Sequence, residues 1–156
     1  MSTTLNGIAQ GYITDKISEH LINSGINNTL VQLGEYRGIG DHPDGRPWRL
    51  LLSNPEHTDS IGEIEFTNAA VATSAGLGTP FDLSGKYHHI FDPKNGYNAN
   101  NYLQVSVTSK TAAEADALAT AFLILNLKAS EKIAKSLNVG FEILDNNRDR
   151  KIITSI

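Results

Sequence analysis

The chain has 156 residues, 40% of them apolar and 19% charged, a balance that fits one globular domain over 1–156 and excludes a disordered or fibrous segment. A formal net charge of -4, with the 13 Lys and Arg scattered, argues against a nucleic-acid or anionic-membrane surface, so any anionic ligand needs a local cation. The absence of cysteine removes disulfides, thiolate metal sites and thiol nucleophiles, and no basic N-terminal segment or membrane-length apolar run occurs, so the chain as written is expected to be soluble and unexported.

From Asn6 to Ser24 the apolar residues Ala9, Ile13, Ile17 and Leu21 recur every four positions, which predicts an amphipathic helix ended by Gly25. Short runs of strand character follow at Thr29–Leu33, Arg37–Gly40, Trp48–Leu52, Ile61–Phe66 and Ala69–Thr73, with turn formers such as Pro43-Asp44-Gly45 between them. A Gly- and Ser-rich loop over Ser74–Gly85 leads to the strand-like Tyr87–Phe91, and Asp92-Pro93-Lys94-Asn95-Gly96 reverses the chain. Leu103, Val105 and Val107 alternate with polar residues as in a half-buried strand. Thr111 and Glu114 then form a capping box that opens a helix running to about Leu127. A short helix around Glu131–Leu137 and a closing hairpin from Val139 through Asn146-Asn147 to Ile153 complete the chain, giving an α+β fold.

Between Ala115 and Leu127 only Asp116, Thr120 and Asn126 are polar, so this helix should be buried, and a buried carboxylate needs a partner. Asp116 and Thr120 are spaced i, i+4, which puts both oxygens on one helical face. That face suits a hard cation such as magnesium, or else an Asp–base pair beside a hydroxyl bonded to its own helix. In His88-His89-Ile90-Phe91-Asp92-Pro93 only one of the two histidines can point inward, and an imidazole there is either a proton relay or a hydrogen-bonded core residue. Gly7 and Gly11 flank the helix opening, where bare backbone lets a ligand approach, and Ala72-Thr73-Ser74-Ala75-Gly76 offers small polar groups at a strand end; plain turns account for both equally well.

In order, these segments resemble motifs of the ApbE family of FAD:protein FMN transferases. Gly7 to Tyr12 is similar to the family's Gly-Ile-Ala-Lys-Gly-Tyr, and Asp44 to Arg49 to its Asp-Gly-Arg-Pro-Trp-Arg. Ala72 to Gly76 follows Ala-Thr-Ser-Gly, His89 to Pro93 follows His-Ile-Ile-Asp-Pro, and Ala115 to Ala121 follows Ala-Asp-Ala-Leu-Ala-Thr-Ala. The resemblance implies an ApbE-like, tunnelling-fold-like domain with antiparallel strands packed against two main helices, truncated at its N-terminus. It implies magnesium held by the Gly7 carbonyl, Asp116 and Thr120, with FAD as substrate contacted by Gly7, Gln10, Thr73, Ser74 and His89, and His89 as the catalytic base.

The implied activity is transfer of FMN from FAD to a Thr or Ser hydroxyl of an acceptor flavoprotein. The alternatives are hydrolysis of FAD to FMN and AMP, or a flavin-binding or assembly subunit that turns nothing over. Gln10 replaces the family's Lys, and Leu33-Gly34-Glu35 is one residue shorter than the usual Leu-Gly-Gly-Asp, both as in the branch resembling the NosX accessory proteins. Family members are about twice this length, so association into a homo-oligomer or with an N-terminal half is expected, with a periplasmic or membrane-anchored location if the chain is a fragment of a typical member.

Overall fold

The computed structural model describes residues 4–82 and 87–154. It contains α1 (Ala9–Asn23), β1 (Thr29–Gln32), β2 (Tyr36–Ile39), β3 (Trp48–Ser53), β4 (Ser60–Phe66), β5 (Ala70–Ala75), β6 (Gln104–Ser109), α2 (Ala112–Ile124), α3 (Leu127–Leu137), β7 (Gly140–Leu144) and β8 (Arg150–Ile153). Six strands form one antiparallel sheet in the order β1-β2-β5-β6-β7-β8, and β3 and β4 form a separate hairpin. Two helices were expected against the sheet; α3 is a full third one, longer than the short Glu131–Leu137 segment. Its opening is set by Asn126, whose side chain accepts from Ala129 N–H at 3.0 Å.

Directly paired residues share a face of the sheet. The registers therefore put Ala72, Val107 and Phe141 on one face and Thr73, Ser106 and Glu142 on the other. The first face carries the core with Phe122 and Leu123 of α2, and Phe122 stacks on Phe141 with centroids 4.8 Å apart. The second face is covered by the hairpin: a Cβ on Gly38 of β2 would lie 2.8 Å from Trp48 and 3.0 Å from Phe66, so only glycine lets the hairpin sit this close. Arg150 ties the two sheets by donating to the Glu63 carbonyl at 3.1 Å and pairing with Glu142 at 2.6 Å. Gln104 and Ser106 are consequently buried, and β6 is covered on both faces instead of half-exposed as its alternation suggested.

α1 departs most from expectation. The stripe of Ile13 and Ile17 faces solvent, with Ile13 53% exposed, and the buried face is made of Gly11, Thr14 and Ser18. Thr14 and Ser18 donate to the carbonyls one turn back, Gln10 O at 2.9 Å and Thr14 O at 2.7 Å, so burying their hydroxyls costs little. Small residues let α1 and α2 approach closely: a Cβ on Gly11 would lie 2.3 Å from the Ala112 carbonyl oxygen. The capping box of α2 is half made, since Thr111 accepts from Glu114 N–H while Glu114 turns its carboxylate to the Ser109 hydroxyl.

Tyr87–Phe91 does not form the expected strand; it bends at Tyr87 and His89 and makes isolated bridges, Pro80 to His88 and Phe91 to Asn98, around the expected reversal. Of the preceding loop, residues 83–86 lie outside the described residues. No helix among the described residues is long and apolar enough to cross a membrane.

Gly11→Ala should destabilise the fold by about 1–3 kcal/mol through overpacking against backbone that cannot yield. Gly140→Ala, whose Cβ meets nothing within 4 Å, is the matched control and should stay near wild type in urea titration.

Candidate functional site

The residues singled out in the sequence meet along one cleft. A cavity of about 460 Å³ opens between the helix pair, the end of β5 and the hairpin, and its wall includes Gln10, Thr73, Ser74, His89, Asp116 and Thr120. Gly7, just ahead of α1, adjoins Thr120: a Cβ built on it would be 3.5 Å from Thr120 Oγ1. Ser74 reaches the same hydroxyl from the sheet, with Oγ 3.1 Å from Thr120 Oγ1. Thr73, on the opposite face of β5, shares a 2.8 Å hydrogen bond with Ser106.

Asp116 is only 6% exposed. Its Oδ2 accepts the Gly11 N–H at 3.0 Å, one of the first-turn amides of α1 that helix geometry leaves without a partner, while Ile8 at the N-cap offers no side-chain bond. Among the described residues Oδ1 has no protein donor. Burial pushes the Asp116 carboxyl above its ordinary range, and the Gly11 amide opposes that rise.

The two histidines separate as expected, though on a bent segment and not by strand alternation. His88 is buried, its Nε2 3.0 Å from the Ala99 carbonyl, and it packs where Gly76 leaves no room for a Cβ. His89 is exposed on the cleft wall, its Nδ1 3.4 Å from the Thr79 carbonyl.

Three features of the site escaped the sequence. Asp15, on the exposed-looking side of the α1 pattern, accepts from Ala112 N–H at 2.8 Å and Ala113 N–H at 2.9 Å and so holds the start of α2. A single Asp among the polar residues of a helix carries no local signal that could have marked it. Glu35, noted only as a family departure, is 7% exposed in the cleft wall. Burial first, and then the negative charge of Asp116, raise its pKa to about 7, against a hydrogen bond from Thr73 N–H. The Gln10 side chain covers Gly34, the neighbouring residue at φ 101, so the two family departures touch each other. Third, among the described residues the wall holds two carboxylates and no Lys or Arg. No group of three or more His, Cys, Asp or Glu able to hold a metal occurs among the described residues, so any cation here must draw on hydroxyl, backbone or ligand oxygens beside Asp116.

A carboxyl whose folded pKa lies above its ordinary value stabilises the fold fully below about 4.5 and loses that contribution as pH rises through about 7. The metal-free protein should therefore lose on the order of 3 kcal/mol across this window. Glu35→Gln should flatten the dependence, and millimolar magnesium should restore stability at the alkaline end; thermal unfolding from pH 5 to pH 8 measures both.

Known proteins bear on this arrangement. The sequence profile of the ApbE family matches residues 1–144. A FAD:protein FMN transferase of Vibrio cholerae serotype O1 is 34% identical over 137 residues, which is 85% of this chain and 41% of the relative. One from Haemophilus influenzae is 28% identical over 146 residues, 90% of this chain and 42% of the relative. Among solved structures, the ApbE protein of Thermotoga maritima superimposes with a TM-score of 0.89 at 28% identity over 97% of this chain and 51% of its own. The flavin transferase ApbE of Vibrio cholerae gives 0.82 at 28% identity, over 98% and 51%. The chain thus spans about half the length, or less, of the relatives it matches. With a family profile over most of its length and the same fold in these relatives, the chain belongs to the ApbE family.

Proposed function

We propose that this chain carries the phosphoryl-transfer site of a magnesium-dependent FAD:protein FMN transferase, which moves FMN from FAD to a threonine or serine hydroxyl of an acceptor flavoprotein. One observation carries the reading: residues from four of the five ordered family segments, all but Asp44–Arg49, converge on a cleft that is acidic and lacks Lys and Arg among the described residues. A pyrophosphate is repelled by such a wall unless a divalent cation stands between. The donor set suits one, since the Asp116 oxygen left without a protein donor, Thr120 Oγ1 and the Gly7 carbonyl are hard oxygens.

Magnesium bound there supplies charge neutralisation at the FAD pyrophosphate. Asp116 is oriented for this by the Gly11 amide, and Ser74 restrains the Thr120 hydroxyl. His89 meets the incoming hydroxyl. With its Nδ1 hydrogen toward the Thr79 carbonyl, Nε2 is the nitrogen left to take the proton. The hydroxyl oxygen forms a bond to the FMN phosphorus, the phosphorus–oxygen bond to AMP breaks, and AMP leaves with the electron pair. Gln10 in place of the family's Lys favours a second reading, a flavin-binding subunit without turnover, which covalent labelling decides.

His89→Ala should lower FMN transfer by roughly 100-fold with the fold intact. His88→Ala should instead lower the melting temperature, because it empties a buried site, and leave most of the rate per folded molecule. Mass spectrometry of an FMN-labelled acceptor, normalised to folded enzyme, separates the two; equal losses per folded molecule would remove His89 from the chemistry. Asp116→Ala should abolish the magnesium dependence of FAD binding in calorimetry.

A further inference from the structure

The β3–β4 connection, residues 54–59, is a built corner. Asn54 is buried, and its Oδ1 accepts from Thr58 N–H at 2.9 Å while its Nδ2 donates to Thr58 Oγ1 at 2.9 Å. The Asn54 N–H donates to the Asp59 carbonyl at 2.9 Å, and Glu56 is paired with Arg148 of the β7–β8 turn at 2.6 Å. On this frame stands His57, its N–H donating to the Asn54 carbonyl at 2.9 Å and its backbone at φ 57. A non-glycine residue held in the left-handed region costs of order 1 kcal/mol or more, and persists where surrounding bonds over-determine it. The exposed residue so placed lines the cleft from the hairpin side, whereas His89 comes from the loop after β5.

Nothing in the family motifs assigns His57 a part. Yet the cleft wall, among the described residues, has no Lys or Arg, and His57 and His89 are its two imidazoles. His89 is taken up with the acceptor hydroxyl, which leaves the hairpin imidazole as a strong donor able to meet an anion. The buried hairpin anchors, Leu52 and Phe66, seat the strands that carry it, so the corner bearing His57 is held against the sheet.

We infer that His57 is a ligand-binding residue: its imidazole N–H donates to a nonbridging phosphoryl oxygen of a nucleotide diphosphate ester held in the cleft. The inference rests on the transferase reading only in taking a pyrophosphate ester as the ligand. It makes the hairpin a part of the site, with one phosphoryl group held from the helix side by the cation-binding oxygens and another from the hairpin side by His57.

The test titrates the purified protein, in magnesium, with FAD, ADP and riboflavin by fluorescence and calorimetry. His57→Asn keeps a residue that tolerates the left-handed backbone and removes the imidazole. It should weaken FAD and ADP by roughly 10-fold and leave riboflavin unchanged, and His57→Lys should restore most of the loss. If the Asn variant melts early, His57→Gly, which meets no backbone strain, repeats the measurement. Unchanged FAD and ADP affinity in a folded variant, or an equal loss for riboflavin, overturns the inference. Acceptor labelling by the wild type is scored separately: its absence with FAD still bound overturns the transferase reading while the FAD-to-riboflavin comparison still decides His57. Wild-type protein that binds neither FAD nor ADP overturns both.

Discussion

The site depends on a reciprocal clamp between α1 and α2. Asp15 of α1 accepts the first amides of α2, and Asp116 of α2 accepts an amide in the first turn of α1. Each carboxylate sits where the other helix has unpartnered N–H groups and the positive end of its dipole, so both bonds are favourable for the same reason. Gly11 makes the exchange possible, because the helices could not come this close with a side chain there. Asp116 thereby belongs at once to the packing of the domain and to the wall of the cleft, and Thr120, one turn further along, inherits its position from the same contact.

The electrostatic consequence is a cleft wall with two buried carboxyls. Asp116 and Glu35 are both held above their ordinary pKa by burial, and each carboxyl has one backbone amide against that cost. Among the described residues neither has a basic side chain beside it in the cleft wall. Elsewhere acids have basic neighbours: Glu142, whose carboxyl burial also raises, pairs with Arg150, and the exposed Asp44 and the half-buried Asp145 sit in ion pairs. A basic partner stands beside the buried acid where the sheets meet and, among the described residues, none stands in the cleft wall.

Much of this was legible from local pattern. The Asp116–Thr120 spacing and the β7–β8 hairpin are short-range properties, and a chain of a few residues suffices to specify them. What was hidden depends on distant partners. The Ile13 and Ile17 stripe has the period of a core face, but burial went to Gly11, Thr14 and Ser18 because small side chains permit the close approach that the clamp requires. β6 reads as half-exposed because nothing in its own sequence announces that a hairpin will lie across its polar face. Asp15 and His57 carry no motif; each acquires meaning only when residues about a hundred positions away, at 112–113 and at Arg148, fold against its neighbourhood.

The outward-facing isoleucines of α1 also shape how the chain answers to solvent. Apolar surface that is already wet in the folded state is not newly wetted on unfolding, so it adds nothing to the heat-capacity increment or to the denaturant sensitivity. With Leu5, Ile8, Tyr12, Ile13 and Ile17 all exposed, the chain should unfold with a shallower urea dependence and a flatter stability curve than its length implies. Any chain that covered this ridge would restore both, which makes the curvature of the stability profile a gauge of whether the helix is in contact with anything at all.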